Sequence, residues 1–268
     1  MPGPAFSPFQ MIGIVYAFIF FLLGAYLWRK RLFSRKLWYL LLVVSALLGF
    51  LIFSPVLPFQ FQELILQLGG GSAGFTIISA AIGIALFLLL TYLFGRQFCS
   101  YLCPVGAVQE LAHAVPGPKV PVRAKVTLTI ARWIVFIIII IAGIGFSTGI
   151  LAILGLRQFF TLTLSFGFLV FLGILVISVF IYRPFCRVIC PVAVFFQMAA
   201  AFSRWKIRRT PACIECGKCE KACPTGEAGK EDRKSECYLC RRCMEVCPKE
   251  DALLYGPPGE GEGPAGGK

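Results

Sequence analysis

Acidic side chains are nearly missing from the first 203 residues of this 268-residue chain. Glu63 and Glu110 stand alone there against thirteen Lys and Arg. Charge is scarce overall, at 15% of residues, while 58% are hydrophobic and the mean hydropathy is +0.81. A soluble domain is nearer a quarter charged, so the scarcity excludes an ordinary soluble enzyme and predicts membrane-spanning segments. Histidine occurs once, at His113, which excludes a bis-histidine haem held by this chain alone. No G-x-G-x-x-G follows a strand-like run, so a dinucleotide fold is not expected. No acidic residue sits inside a long apolar run, and proton pumping is not expected either. Electrons are the expected traffic. No side chain is assigned a catalytic role.

Five apolar runs are long enough to span a bilayer: Phe9–Trp28, Leu37–Phe53, Phe75–Gly95, Thr127–Gly149 and Thr161–Tyr182. Arg132 lies near one end of the fourth and is expected to reach out toward the headgroups. Basic residues gather in the loop after run one (Arg29, Lys30, Arg31, Arg35, Lys36), after run three (Arg96, Lys119, Arg123, Lys125) and after run five (Arg183, Arg187). Residues 1–8 and 54–74 carry none. The positive-inside rule then sets the N-terminus outside and the C-terminus in the cytoplasm, across the cytoplasmic (inner) membrane. No secretory signal is expected. The basic excess reads as topology control and contact with anionic lipid, and its lack of a basic soluble face argues against nucleic acid. The outer segment Ser54–Ser72 predicts a short helix lying in the interface. It would alternatively wall an outward-facing quinone pocket, with Glu63 as proton acceptor.

Cysteine is plentiful by contrast, and all twelve copies fall in C-x₂-C or C-x₃-C groups. That is metal-ligand spacing, and unpaired thiolates belong in a reducing compartment. "CIECGKCEKACP" and "CYLCRRCMEVCP" are tandem C-x₂-C-x₂-C-x₃-C-P runs. In such runs the fourth cysteine ligates the other cluster. The expected sets are Cys213, Cys216, Cys219 and Cys247 for one [4Fe–4S] cluster, and Cys237, Cys240, Cys243 and Cys223 for the second.

The remaining four cysteines lie in a repeat. "GRQFCSYLCPVG" from Gly95 and "YRPFCRVICPVA" from Tyr182 match at a constant offset of 87 residues. Each ends a helical hairpin on the same side, which implies a parallel repeat about an axis along the membrane normal. On a helix, i and i+4 share a face, so each C-x₃-C would present two sulfurs. Cys99, Cys103, Cys186 and Cys190 thus form two half-sites at the membrane edge. A third iron–sulfur cluster, a redox-active thiol pair, and plain packing all fit these residues; the cluster is the leading expectation. Arg96 and Arg183 precede the motifs at equal offsets and read as interface anchors or as electrostatic partners of a cluster or of quinone oxygens.

Two C-x₃-C-P motifs beside a two-cluster domain resemble the NapH-type membrane ferredoxins, over about residues 37–250. That resemblance implies a quinol-dehydrogenase iron–sulfur subunit exchanging electrons between the quinone pool and another membrane or haem-bearing redox subunit. Similar modules occur in a nitrous oxide reductase regulator and in a cytochrome oxidase assembly factor. The chain departs from the family pattern by its helix Phe9–Trp28, a candidate docking element for another subunit. The expected architecture is an all-α polytopic membrane protein of about five spans, with a small α+β bacterial-ferredoxin-like domain at its C-terminal end. The expected boundaries are 1–36 (first helix and basic loop), 37–203 (repeat, halves 37–115 and 127–203), 204–255 (ferredoxin domain) and 256–268 (disordered tail). The alternatives are an assembly factor reducing a metal for another enzyme, and an iron–sulfur redox sensor.

Overall fold

The computed structural model describes residues 8–30, 32–52, 57–69, 75–120, 124–146, 149–249 and 251–258. Side chains are described from residue 15 onward, except those of 52, 59, 60, 63, 68, 69 and 75–80. The Glu63 carboxylate, and with it the proton-acceptor reading, lies outside the described residues, as does most of the expected tail.

The long apolar runs hold no proline beyond the first turn and no Asn or Asp to compete for backbone hydrogen bonds, so they propagate as helices. In chain order these are α1 (Pro8–Arg29), α2 (Arg35–Ile52), α3 (Leu57–Gly69), α4 (Phe75–Phe94), α5 (Pro104–Ala114), α6 (Lys125–Phe146), the short α7 (Ile150–Ile153) and α8 (Leu156–Phe160), α9 (Phe166–Phe180) and α10 (Val192–Ala201). A π-helical turn follows α4 at Phe98–Leu102, and a second follows α9 at Phe185–Ile189. The C-terminal part contributes β1 (Lys206–Arg209), α11 (Lys218–Ala222), α12 (Arg242–Glu245) and β2 (Leu253–Gly256). The molecule is mostly helical, with β1 and β2 pairing antiparallel from Lys206↔Gly256 to Arg209↔Leu253. Among the described residues one helix, Lys125–Phe146, is long and apolar enough to cross a membrane.

α2 and α5 pack antiparallel, and α5 also packs against α9. The segment expected as a short helix contains α3, and one face of it packs on the bundle. Leu57, Phe61 and Ile65 are buried, and Phe61 meets the rings of Phe136 and Phe195. Its apolar face covers the bundle because burying such rings is worth about 1.5–3 kcal/mol each. Gln62 caps this packing by accepting a 2.5 Å bond from the Leu151 amide.

The C-terminal part is fastened to the helices by backbone and aromatic contacts. The amides of Arg204 and Trp205 donate to the carbonyls of Tyr92 and Leu93 at 2.9 and 3.0 Å, closing the orphaned end of α4. Tyr255 Oη donates to the Phe94 carbonyl at 2.6 Å and accepts from Gln97 Nε2 at 2.9 Å. Trp28 of α1 stacks on Phe33 and tilts against Tyr255, with the Arg241 guanidinium 5.6 Å from its ring. One end of α1 is therefore spent on joining the two parts of this same chain.

Gly155 holds the turn between α7 and α8 at φ +73°, where a Cβ would overlap the Gly167 carbonyl at the start of α9. A Gly155→Ala substitution must move backbone and strain φ at once. It should lower the melting temperature of the detergent-solubilised chain, with a loss of about 1–3 kcal/mol.

Candidate metal centres

Both C-x₃-C-P segments fold alike. The amides of Cys103 and Cys190 donate to the carbonyls of Phe98 and Phe185, each at 2.9 Å, closing one wide i→i+5 turn. The sequence suggested an α-helical i, i+4 pair; the following proline changes this. A residue before proline is pushed out of the α region. Cys103 (φ −75°, ψ 121°) and Cys190 (φ −64°, ψ 116°) are accordingly extended. Pro104 then opens α5 at a position where a missing N–H costs nothing, and Pro191 caps α10.

The two turns meet. Cys99, Cys103, Cys186 and Cys190 line one cavity together with Arg96, Phe98, Phe185, Phe196 and, from α3, Leu57 and Pro58. The last two place the site inside the helical bundle rather than at its edge. Gly49 of α2 faces Pro104 at one end of α5, while Trp38 shares a cleft with Ala114 at the other. An eleven-residue helix separates these levels by about 16 Å. Gly106 is required at the first turn of α5, because a Cβ there would stand 2.6 Å from the Cys99 carbonyl. Gln109 bridges the halves: its Oε1 accepts from the Phe185 amide at 3.0 Å and its Nε2 donates to the Cys186 sulfur at 3.2 Å.

The other eight cysteines surround two further cavities. Cys213, Cys216, Cys219 and Cys247 line one, with Arg209, Ile214 and Lys249. Cys223, Cys237, Cys240 and Cys243 line the other, with Tyr182, Tyr238 and Arg241. The fourth cysteine of each run faces the first three of the other. Burial pushes the Cys237 thiol up to about 12.

Five arginines and two carboxylates occupy the centre of the joint between helices and cysteine-rich part, while Lys125 with Glu227 and Asp232, and Arg35 with Glu245, cross it elsewhere. Arg183 donates to Glu110 at 2.7 Å, and Arg242 donates to the same carboxylate at 2.6 Å. Arg132 and Arg187 both bind Glu236, and Arg132 Nε also donates to the Arg187 carbonyl at 2.6 Å. Burial alone would raise the Glu236 carboxyl, but Arg132, Arg187 and Arg96 outweigh it and hold it below the ordinary carboxylate value. Arg96 makes no ion pair among the described residues, and Glu236 acts on it only through space. Its Nη1 donates to the Ser235 carbonyl at 3.3 Å, and its Nε and Nη2 are buried without a partner. The guanidinium groups of Arg96 and Arg183 lie 4.5 and 4.8 Å from the Tyr238 ring.

This corrects two expectations. Arg132 does not reach headgroups, and Arg96 and Arg183 are not interface anchors. All three are at most 1% exposed. A guanidinium is retained inside the protein where carboxylates, carbonyls and aromatic faces replace its water. Sequence reading also missed Gln109, Glu110, Tyr238 and Glu236. Only Glu110 carried a signal, as one of two acids in 203 residues.

The model of the Fer4_5 family, a 4Fe-4S binding domain, matches residues 76–123 and 163–210. The two stretches stand at the 87-residue offset of the repeat, and each contains one C-x₃-C-P motif. The tandem eight-cysteine runs begin beyond both. The chain is 28% identical over 171 residues to the methylamine utilization ferredoxin-type protein MauN of Paracoccus denitrificans, covering 57% of each. It is 30% identical over 143 residues to the protein NirI of the same organism, covering 48% of this chain and 21% of that one. It is 31% identical over 163 residues to the regulatory protein NosR of Pseudomonas aeruginosa, covering 52% and 22%. The chain spans about half the length of the curated relatives it matches most fully. No solved structure matches.

Replacing Glu236 with Ala leaves Arg132 and Arg187 buried without their carboxylate. The expected cost is on the order of 3–5 kcal/mol, read as a lower melting temperature and faster proteolytic release of the cysteine-rich part.

Proposed function

We propose, for a chain that carries the Fer4_5 4Fe-4S binding domain twice and is a relative of the NapH-like ferredoxin-type electron-transport proteins, that it is a membrane-bound iron–sulfur electron-transfer subunit with three cluster sites. The observation that carries this is Arg96. A buried guanidinium without a carboxylate is costly unless an anion faces it. Arg96 lines the cavity of Cys99, Cys103, Cys186 and Cys190 with its Nε and Nη2 nitrogens unpartnered. Four thiolates around an iron–sulfide core supply that negative charge. The buried arginines Arg96, Arg132, Arg183 and Arg187 outnumber the buried carboxylates Glu110 and Glu236 that face them, which supports the same reading.

The clusters would carry single electrons when bound. Cys213, Cys216, Cys219 and Cys247 would hold the first, Cys223, Cys237, Cys240 and Cys243 the second, and the repeat cysteines the third. Around the third, Phe98, Phe185 and Phe196 exclude water, Gln109 donates to a sulfur, and Leu57 and Pro58 close the far side.

Membrane insertion is supported by exposed apolar side chains on five helices, with Ile82 and Leu89 on α4 among them. They include Val15, Ile19 and Leu22 on α1, Leu40 and Leu47 on α2, Ile134, Ile137, Ile138 and Ile141 on α6, and Leu169 and Val176 on α9. Such a belt is far larger than a soluble surface tolerates. α1, α2, α4, α6 and α9 are the proposed spans, with the N-terminus outside and the cysteine-rich part in the cytoplasm. The exposed face of α1 remains available to another membrane subunit. The resemblance to quinol-dehydrogenase subunits makes the quinone pool the proposed membrane-side partner.

Iron and sulfide analysis of the purified chain tests the reading. We expect about twelve irons, falling to about eight when Cys99 and Cys186 become Ser. A count near eight that those substitutions leave unchanged removes the third cluster. Addition of a quinol analogue to membranes should bleach the iron–sulfur absorbance, and no bleaching removes the quinone partner.

A further inference from the structure

One loop of the cysteine-rich part is held by side chains from both repeat halves. It is Ser235–Cys240, which opens the second C-x₂-C. Arg96 binds the Ser235 carbonyl, and Arg132 and Arg187 bind Glu236. The hydroxyl of Ser100 donates to the Tyr238 carbonyl. Arg96 and Arg183, matched positions of the two repeat halves, both lie over the Tyr238 ring. Leu239, at φ 47°, turns the loop so that Tyr238 and Leu239, each 2% exposed, enter the bundle.

Ser100 follows Cys99 directly, and Tyr238 follows Cys237 directly. One hydrogen bond between buried residues therefore separates a cysteine of the bundle site from a cysteine of the second tandem set. The repeat is broken here for a reason. The counterpart of Ser100 at the 87-residue offset is Arg187, and it binds Glu236 of the same loop. Two symmetric halves read one asymmetric segment. The cavity of Cys213, Cys216, Cys219 and Cys247 is different. All its lining residues come from Arg209 to Leu253, Cys216 is exposed, and Ile214 beside it is 57% exposed.

We propose that the three cysteine sites have a fixed order. The bundle site adjoins the Cys223/Cys237/Cys240/Cys243 site through the Ser100–Tyr238 contact, and the Cys213/Cys216/Cys219/Cys247 site is the outer terminal where a redox partner exchanges electrons. This rests on the reading of three clusters. Each transfer is of one electron: one site is oxidised, its neighbour reduced, and no bond forms or breaks. Ser100 is a positioning residue; it would hold no iron.

Pulsed electron paramagnetic resonance on the fully reduced, cluster-loaded full chain tests the order. Cys216→Ser and Cys240→Ser mark the two tandem-site signals, by a shift or by a loss. The bundle-site signal should couple more strongly to the one marked by Cys240→Ser. Stronger coupling to the one marked by Cys216→Ser overturns the order alone. Absence of a third signal overturns both the order and the three-cluster reading. Ser100→Ala should slow electron redistribution after flash reduction several-fold at unchanged iron content, and Ser100→Thr should restore it. An unchanged rate in Ser100→Ala, or a Ser100→Thr rate as slow as that of Ser100→Ala, overturns the role given to Ser100.

Discussion

The centre of the joint buries more guanidinium groups than carboxylates. Arg96, Arg132, Arg183 and Arg187 are almost wholly enclosed, with Arg242 partly so, and only Glu110 and Glu236 answer them. Each carboxylate is shared. Glu110 sits in α5 and binds Arg183 from the second half and Arg242 from the cysteine-rich part. Glu236 sits in the cysteine-rich part and binds two arginines of the helices. Neither part can leave without exposing an uncompensated charge to a dry surface. The leftover positive charge faces the cysteines, whose thiolates it would favour.

Two short sequence devices make this arrangement possible. Proline after the second cysteine of each motif ends the wide turn and starts a new helix at the same point in both halves. The result is a matched pair of turns that bring four sulfurs to one cavity from opposite sides. Gly106 lets α5 press against the first turn, and Gln109 ties α5 to the second. α3 then shuts the cavity on the side away from the cysteine-rich part. The site is closed by packing rather than by a dedicated lid.

Much of this was legible early. The five apolar runs became α1, α2, α4, α6 and α9, with boundaries within a few residues, because uninterrupted aliphatic stretches have few alternatives to a helix. The 87-residue repeat recurs in the two matches to the 4Fe-4S binding domain. The misread residues share a cause. Arg96, Arg132 and Arg183 sit at the ends of apolar runs, and by local pattern alone such arginines are headgroup anchors. Only a second structural part, docked on those ends, turns an interface position into an interior one.

The sequence by itself determined what is local or periodic: the helices, the tandem cysteine runs, the repeat, and the proline that turns each motif. Spacing and backbone stereochemistry act within a few residues, so one dimension is enough to read them. The tertiary structure alone decided which charges are buried, how deep the four repeat cysteines lie, and which cysteine loop touches them. Those outcomes depend on contacts between residues as far apart as Ser100 and Tyr238. An arginine's character there is set by the partner that displaces its water, and that partner is distant in the chain.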